Sequence, residues 1–181
     1  MPREVRLTEE LARGRFIRLV RRDRWEWAER VNATGVVVIV ALTPQGRVVL
    51  VEQERIPVGG PVLELPAGLA GDVHEDEALA VAAARELEEE TGWRAGRLER
   101  LTQGPVSAGM SSEVLTFFLA HDLERIGEGG GDEGESIVVH EIPLGEVEGW
   151  LEARARGGVM ADPKVYAGLY FLHTHEDRGP E

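Results

Sequence analysis

The chain has 181 residues, a hydrophobic fraction of 43% and a formal net charge of −13. A surface this acidic repels phosphate backbones and anionic lipid, so neither nucleic acid nor a membrane is expected as a partner. Cysteine is absent, which excludes disulfides and thiolate metal sites and fits a reducing cytoplasm. The length predicts one domain, and we find no signal peptide and no run that could span a membrane.

The first third of the chain has the pattern of β structure. Trp25 and Trp27 alternate with polar residues, which predicts a strand with both indoles on one face. Residues 35–42 are a nearly continuous β-branched run and predict a buried strand, with residues 47–55 as its hairpin partner across a short turn. Residues 59–68 predict a turn, a short strand and a stop.

The rest of the chain mixes helices and strands. A glutamate-rich helix is predicted at about residues 77–91, with Gly92 ending it in a left-handed conformation. A last helix is predicted to begin at Asp162 and Pro163. Three residues would share one face of that helix: Tyr166, Leu169 and Tyr170. The other predicted elements are strands at 113–121 and 137–142, an acidic loop at 124–136 and a helix within 143–158. This order predicts an α/β fold with a mixed sheet between helices.

The glutamate-rich helix poses a chemical problem. Its packing stripe consists of Leu79, Ala83 and Leu87. Glu86 and Glu90 lie at one edge of that stripe with Glu89 beside them, while Glu88 points away. Arg85, four residues before Glu89, can brace it. Carboxylates that converge at the border of a core repel one another, and a hard divalent cation would relieve that repulsion. The alternative interpretation is a solvated charged face.

The spacing around this helix is specific. Gly71 is followed by five residues and Glu77, then by seven residues and the run RELEEETGW at 85–93. This resembles the box of the Nudix hydrolases, Gly-x5-Glu-x7-Arg-Glu-U-x-Glu-Glu-x-Gly-U with U a bulky apolar residue. The resemblance implies an α/β/α sandwich that hydrolyses a nucleoside diphosphate linked to another group, with Mg²⁺ or Mn²⁺ held by helix carboxylates.

The resemblance also implies roles for individual residues. Glu86 and Glu90 would be the principal metal ligands, Glu89 a ligand to a further ion or a group that orients water, and Arg85 the residue that orients the carboxylates. A backbone carbonyl beside the box glycine would add a metal ligand. Either Ala67 or Ala70 could supply it, and Ala67 is favoured because the run ELPAG resembles the family's strand-end turn.

Features outside the box resemble the ADP-ribose pyrophosphatase branch of the family. In VEQER (51–55), Arg55 would contact a substrate phosphate, unless it is a plain surface arginine. Glu113 ends a loop that would touch substrate or metal, unless it simply opens a strand. That loop departs from the branch pattern, because Ala108 stands where the branch has proline.

Two further regions complete the predicted site. The acidic loop resembles the family's mobile catalytic loop, with Glu133 as candidate general base and Glu135 as an additional metal ligand; a solvated tip is the alternative. Trp25 and Trp27 would stack on the nucleobase, or else pack in a core or dimer interface. The resemblance implies that residues 1–33 form a β element that pairs two subunits into a homodimer.

The sequence therefore predicts a cytoplasmic, metal-dependent enzyme with its hydrolase domain at 34–176 and a tail at 177–181. It would split a nucleoside diphosphate sugar, ADP-ribose-like, into a nucleoside monophosphate and a sugar phosphate. Alternatives are a dinucleoside polyphosphate or nucleoside triphosphate pyrophosphohydrolase. A non-catalytic nucleotide-binding sensor of the same fold is the alternative from another class.

Overall fold

The layers of the fold are clearest at its fourth strand. The structure is a computed structural model and describes residues 7–71, 77–131 and 136–176. The strand, β4 (Gly35–Ala41), is buried on both faces. Val37, Ile39 and Ala41 pack with the first helix, while Val36, Val38 and Val40 pack with the two later helices. Helices therefore cover both sides of the sheet structure, as the predicted α/β/α sandwich requires.

Two four-stranded sheets form the middle layer. The first contains β7 (Ala67–Ala70), β4, β9 (Val114–Arg125) and β8 (Trp93–Pro105), in that spatial order. The second contains β10 (Ile137–Pro143), β5 (Arg47–Arg55), β6 (Gly60–Glu64) and β11 (Met160–Ala161). Both sheets are mixed, because β4 runs parallel to β9 and β6 runs parallel to β11 while the other pairs are antiparallel. The three helices are α1 (Leu79–Thr91), α2 (Val147–Arg156) and α3 (Pro163–Glu176).

A third, small sheet stands at the N-terminus. Its antiparallel strands are β1 (Glu9–Arg13), β2 (Ile17–Arg22) and β3 (Trp25–Arg30). Ala28 connects this sheet to the loop before β9, since its N–H donates to the Met110 carbonyl at 2.9 Å and its carbonyl accepts from Ser112 N–H at 3.1 Å. The predicted N-terminal β element is therefore present; its role in dimerisation stays a prediction.

The predicted hairpin of residues 35–42 and 47–55 is wrong. These strands enter different sheets and share only an isolated bridge between Leu42 and Val48. Both edges of β4 are already paired, with β7 and with β9. No edge of β4 is left for β5, which pairs instead with β6 and β10.

Other differences arise where packing decides the structure. Strand β8 was not predicted, because its residues are mostly polar and only Trp93 is buried. In α3, Val165, Leu169 and Leu172 face the core, whereas Tyr166 and Tyr170 are exposed, so only Leu169 of the three residues placed on one face is buried. A buried face at i, i+4 and i+7 follows the apolar residues that meet β4 and β6.

Two features of the helices agree with their predicted ends. Gly92 ends α1 with φ of 70° and donates its N–H to the Glu88 carbonyl. Asp162 accepts a hydrogen bond from the Lys164 N–H at 2.8 Å, in the first turn of α3. Among the helices of the described residues, none is long and apolar enough to cross a membrane.

Candidate active site

An open cavity of about 410 Å³ lies between α1 and the ends of β5, β6 and β7. We call it the carboxylate cavity. Five of the predicted site residues line it: Arg55, Ala67, Glu86, Glu90 and Glu113. Sequence reasoning missed four other polar lining residues: Arg30, Gln53, Glu64 and Lys164. The fold thus joins residues from widely separated parts of the chain, while the predicted Glu133 and Glu135 lie outside the described residues.

Glu90 is the most deeply set carboxylate of this cavity, with 4% of its surface exposed. Its Oε2 accepts a hydrogen bond from the Ala67 N–H at 3.1 Å, and its Oε1 accepts one from Gln53 Nε2 at 3.4 Å. A buried carboxylate is costly unless donors or cations satisfy it. The hydrogen bond from the Ala67 N–H fixes the end of α1 against the start of β7. It also holds Ala67, the predicted source of the carbonyl metal ligand, next to Glu90.

Glu86 lies directly over Gly68. A Cβ atom built at Gly68 would come within 1.9 Å of the Glu86 carboxyl carbon. Any larger residue at position 68 would therefore displace the carboxylate from the cavity. Glycine in the run PAG thus provides space for Glu86.

Arg85 connects the acidic residues around the cavity. Its Nε and Nη2 each donate to Glu77 at 3.2 Å, and its Nη1 donates to Glu86 at 2.9 Å and to Glu89 at 3.1 Å. Nη2 also donates to the Leu69 carbonyl at 3.0 Å. The hydrogen bonds to Glu77 do most to raise the pKa of Arg85, with help from the charge of Glu86 and against the lowering effect of burial. The guanidinium is therefore a permanent cation that fixes two helix carboxylates.

The other two glutamates of the box have different positions. The Glu89 side chain is 48% exposed and is not among the residues that line the cavity. Glu88 points away, as predicted, and it pairs with Arg94 at 2.8 Å. Of the three carboxylates expected to converge, Glu86 and Glu90 share the cavity, while Arg85 holds Glu89 at its outer side.

The donor set fits a hard divalent cation. Carboxylate oxygens are the ligands that Mg²⁺ and Mn²⁺ prefer, and such ions keep water and substrate phosphates as their remaining ligands. In residues 7–71, 77–131 and 136–176, no three His, Cys, Asp or Glu side chains are grouped so that they could hold a metal ion. Two protein carboxylates, Glu86 and Glu90, plus a backbone carbonyl are a usual protein share for Mg²⁺, which rarely has an all-protein shell.

Two arginine–carboxylate pairs form another part of the wall. Arg55 Nε donates to Glu64 Oε2 at 2.6 Å, and Arg30 Nε donates to Glu113 Oε1 at 2.5 Å. All four side chains line the carboxylate cavity. Guanidinium groups are suited to phosphate oxygens because of their planar array of donors.

A glycine run attaches the acidic loop to the carboxyl end of α1. The Gly130 N–H donates to the Glu90 carbonyl at 2.8 Å, and the Gly131 N–H donates to the Glu89 carbonyl at 3.1 Å. Gly129 has φ of 73°, and a Cβ there would lie 2.4 Å from the Thr91 carbonyl carbon. From the sequence, this segment was predicted only to be a mobile loop. The signal for an anchor would have been the three consecutive glycines that follow α1, β8 and β9.

Trp25 and Trp27 lie in a second cavity of about 510 Å³, the tryptophan cavity, which Ala108, Ser111 and Ser112 also line. Trp25 is 55% exposed. A third cavity, of about 330 Å³, shares Ser112 with the tryptophan cavity. It also shares three residues with the carboxylate cavity: Arg30, Val36 and Glu113. The three cavities therefore adjoin, from the helix carboxylates to the tryptophans.

Glu29 holds one indole of the tryptophan cavity. Trp27 Nε1 donates to Glu29 Oε1 at 2.8 Å, and Arg18 Nε donates to Glu29 Oε2 at 2.9 Å. Burial acts to raise the pKa of Glu29, but the hydrogen bonds from Trp27 and Arg18 outweigh it, and the net pKa is lowered. The carboxylate form thus orients the ring.

Comparison with known proteins agrees with this geometry. A model of the NUDIX domain matches residues 32–162. An ADP-ribose pyrophosphatase of Bacillus subtilis is 35% identical over 149 residues, covering 82% of this chain and 77% of that protein. A GDP-mannose pyrophosphatase of Salmonella arizonae is 34% identical over 160 residues, covering 84% and 78%. A crystal structure of an ADP compounds hydrolase has a TM-score of 0.72 at 22% identity, covering 96% of this chain and 94% of that one, and supports the fold alone.

These matches confirm the resemblance found in the box and the predicted α/β/α fold with its added N-terminal sheet. The matched segment includes the box, the loop before β9 and every lining residue of the carboxylate cavity except Arg30 and Lys164. The chain therefore belongs to the Nudix family of hydrolases, enzymes that act on pyrophosphate bonds and generally need a divalent metal ion.

Proposed function

We propose that the protein is a Mg²⁺-dependent pyrophosphohydrolase of nucleoside diphosphate sugars, with ADP-ribose as the model substrate. It would release a nucleoside monophosphate and a sugar phosphate. The observation that carries the proposal is that the carboxylate cavity and the tryptophan cavity adjoin, since each shares lining residues with the third cavity. A nucleoside diphosphate sugar has a diphosphate for the first cavity and a base for the second. The two relatives that act on ADP-ribose and GDP-mannose support this substrate class.

Glu86, Glu90 and the carbonyl of Ala67 would hold the metal. A divalent ion at this position supplies charge neutralisation for phosphate oxygens and lowers the pKa of a bound water. The cavity wall includes Ala67 and leaves out Ala70, whose carbonyl accepts hydrogen bonds from Thr34 N–H at 2.8 Å and Oγ1 at 3.1 Å. This arrangement supports Ala67 as the carbonyl ligand.

Arg85 and the acidic loop would position the remaining acids. Arg85 orients Glu86 and places Glu89 at the outer edge, where Glu89 binds a further ion or orients water. The loop leaves its anchor on α1 at Gly131, two residues before Glu133, the candidate general base. Glu135 would then add a ligand. An anchor at the carbonyls of Glu89 and Glu90 supports a loop that acts on the same centre.

Arg55 and Glu113 would act on the diphosphate. Both are paired, with Glu64 and Arg30, so each arginine is held in place before a phosphate arrives. A guanidinium fixed in this way loses little conformational entropy when it binds a phosphate oxygen. Glu113 would hold Arg30 or contact the metal directly.

Trp25 and Trp27 would stack on the nucleobase, an interaction that tolerates any base. The sheet that carries them also exposes Phe16, Ile17 and Leu19. Exposed apolar side chains grouped on one small sheet are typical of an interface. This supports the proposal that the N-terminal sheet pairs two subunits.

A substrate panel tests the proposed function. The purified protein is incubated with Mg²⁺ or Mn²⁺ and with ADP-ribose, GDP-mannose, NADH, diadenosine polyphosphates or nucleoside triphosphates, and the products are separated by anion exchange. We expect the nucleoside diphosphate sugars to have the highest kcat/KM and to give a monophosphate and a sugar phosphate. Fastest turnover of a triphosphate or a dinucleoside polyphosphate would overturn the substrate class. Absence of turnover of every compound would favour a nucleotide-binding sensor.

A further inference from the structure

Lys164 is the only lysine among the 20 lysine and arginine residues of the chain. It lies in the first turn of α3, and its side chain is only 17% exposed. It lines the carboxylate cavity together with Glu86, Glu90 and Arg55. A single lysine, mostly covered and lining a cavity that four glutamates also line, is an unusual use of this residue type, since lysines are mostly exposed.

Asp162 holds this lysine in place. The Asp162 carboxylate accepts a hydrogen bond from the Lys164 N–H at 2.8 Å and also binds the Lys164 ammonium. The Asp162 N–H donates to the Leu63 carbonyl at 2.9 Å, in the strand β6 that also carries Glu64. Because Glu64 binds Arg55, the same strand sets the positions of both cations.

The charges around Lys164 differ from those around the two arginines of the cavity. Arg30 and Arg55 are paired with Glu113 and Glu64, which themselves line the cavity. The partner of Lys164, Asp162, does not line it. Lys164 therefore adds a positive charge at the cavity wall, while its counterion is not among the lining residues. One carboxylate cannot use all three donors of the Lys164 ammonium.

We propose that Lys164 binds a phosphate oxygen of the substrate's diphosphate, and that Asp162 is its positioning residue. The proposal rests on the proposed function for the identity of the anion. An ammonium is a compact point charge with three donors, and it binds phosphate without the planar space that a guanidinium fork needs. Recognition of the diphosphate would thus use a residue of α3 as well as the box helix and β5.

The proposal is tested by direct binding of α,β-methylene-ADP, a nucleoside diphosphate that resists hydrolysis, by calorimetry at fixed Mg²⁺. We expect Lys164→Met to weaken binding by about tenfold or more, as for loss of a charged hydrogen bond. Lys164→Arg should recover only part of it, and Asp162→Asn should give an intermediate loss. Arg156→Met, at an exposed arginine on α2, is the control and should bind as the wild type does. Unchanged binding in Lys164→Met, or equal weakening in Arg156→Met, would overturn the proposal.

A second readout uses the wild-type chain and does not depend on the stability of any variant. Reductive methylation with ¹³C-formaldehyde labels one lysine in this protein besides the N-terminal amine. The dimethyl-Lys164 resonance should shift saturably as α,β-methylene-ADP is added, while inosine without phosphate should leave it unchanged. A resonance that stays in place at saturating ligand would show that Lys164 serves only its ion pair with Asp162. Because both readouts measure binding, they hold even if the substrate panel shows no turnover.

Discussion

The carboxylate cavity and the tryptophan cavity are built on different supports. Most residues of the first are set on core elements, although Arg30 comes from β3: Glu90 is buried, and α1 behind it buries Ala82, Ala83 and Leu87 completely. The second is set on a small sheet whose strands, all of which the structure describes, bury only Val20. Under the proposed function, the core would fix the chemistry, while an exposed and separately built sheet would provide recognition of the base. Substitutions in the two regions should therefore change different kinetic constants.

The largest effect is expected at Glu90. Glu90→Gln keeps the side-chain shape and an oxygen for the Ala67 N–H, but removes the charge that would hold the metal. We expect kcat for ADP-ribose to fall by about 10³-fold, because electrostatic stabilisation by a bound cation contributes several kcal/mol. The unfolding midpoint in urea should change little. Glu88→Gln on the opposite side of α1 is the control; an equal loss there, or retained activity in Glu90→Gln, would refute the assignment.

Gly129→Ala should break the anchor between the loop and the core. The new Cβ would lie 2.4 Å from the Thr91 backbone at a positive φ, so the loop must move. We expect a loss of about 3 kcal/mol in the free energy of unfolding, combining backbone strain and overpacking. Gly46→Ala is the matched control, because its φ is 70° but nothing lies within 4 Å of the added Cβ. It should cost about 1 kcal/mol; equal costs would show that Gly129 is not packed against α1.

Trp27→Ala should act on recognition and leave the chemistry nearly intact. We expect KM for ADP-ribose to rise about tenfold, since stacking on a base contributes roughly 1–3 kcal/mol, while kcat changes little. Steady-state kinetics with ADP-ribose and GDP-mannose measure both constants. Tyr166→Ala, an exposed aromatic on α3, serves as the control. A fall in kcat with unchanged KM would contradict the separation of the two cavities.

The smallest effect is a pH dependence in the N-terminal sheet. The folded pKa of Glu29 is below its ordinary 4.5, so Glu29 stabilises the fold fully above pH 4.5 and loses that contribution as the pH falls through the folded pKa. As the pH falls from neutral through the folded pKa of Glu29, the wild type should lose more free energy of unfolding than Glu29→Gln does. We expect the difference to be less than about 1 kcal/mol. Glu26→Gln, whose ion pair with Arg21 is 4.0 Å long, is the control. Urea unfolding across this pH range measures the difference, and identical profiles would refute it.

The sequence predicted the part of the site on α1 well, because the helical repeat alone determines how its side chains are arranged. A single helix fixes Glu86, Glu90 and the outward Glu88 relative to one another, so spacing alone places them. Arg55 and Ala67 joined the same cavity because each ends or begins a strand that could be recognised locally. Their individual roles stay predictions.

Long-range contacts account for what sequence reasoning missed. The position of Glu89 depends on Arg85, which also binds Glu77 and the Leu69 carbonyl. The hairpin error arose because strand pairing depends on which edges are already taken, a property of the whole sheet. Lys164 reaches the cavity because β11 pairs with β6. This pairing consists of two residue pairs and joins strands that are far apart in the chain.

Metal binding tests the central claim, that Glu86 and Glu90 form a divalent-cation centre, most directly. Electron paramagnetic resonance of Mn²⁺ measures free ion in the presence of the wild type, Glu90→Gln and Glu88→Gln, without any substrate. We expect Glu88→Gln to bind Mn²⁺ as the wild type does, and Glu90→Gln to bind it at least about tenfold more weakly, because one charged ligand is lost. Equal Mn²⁺ affinity in all three proteins would contradict the claim.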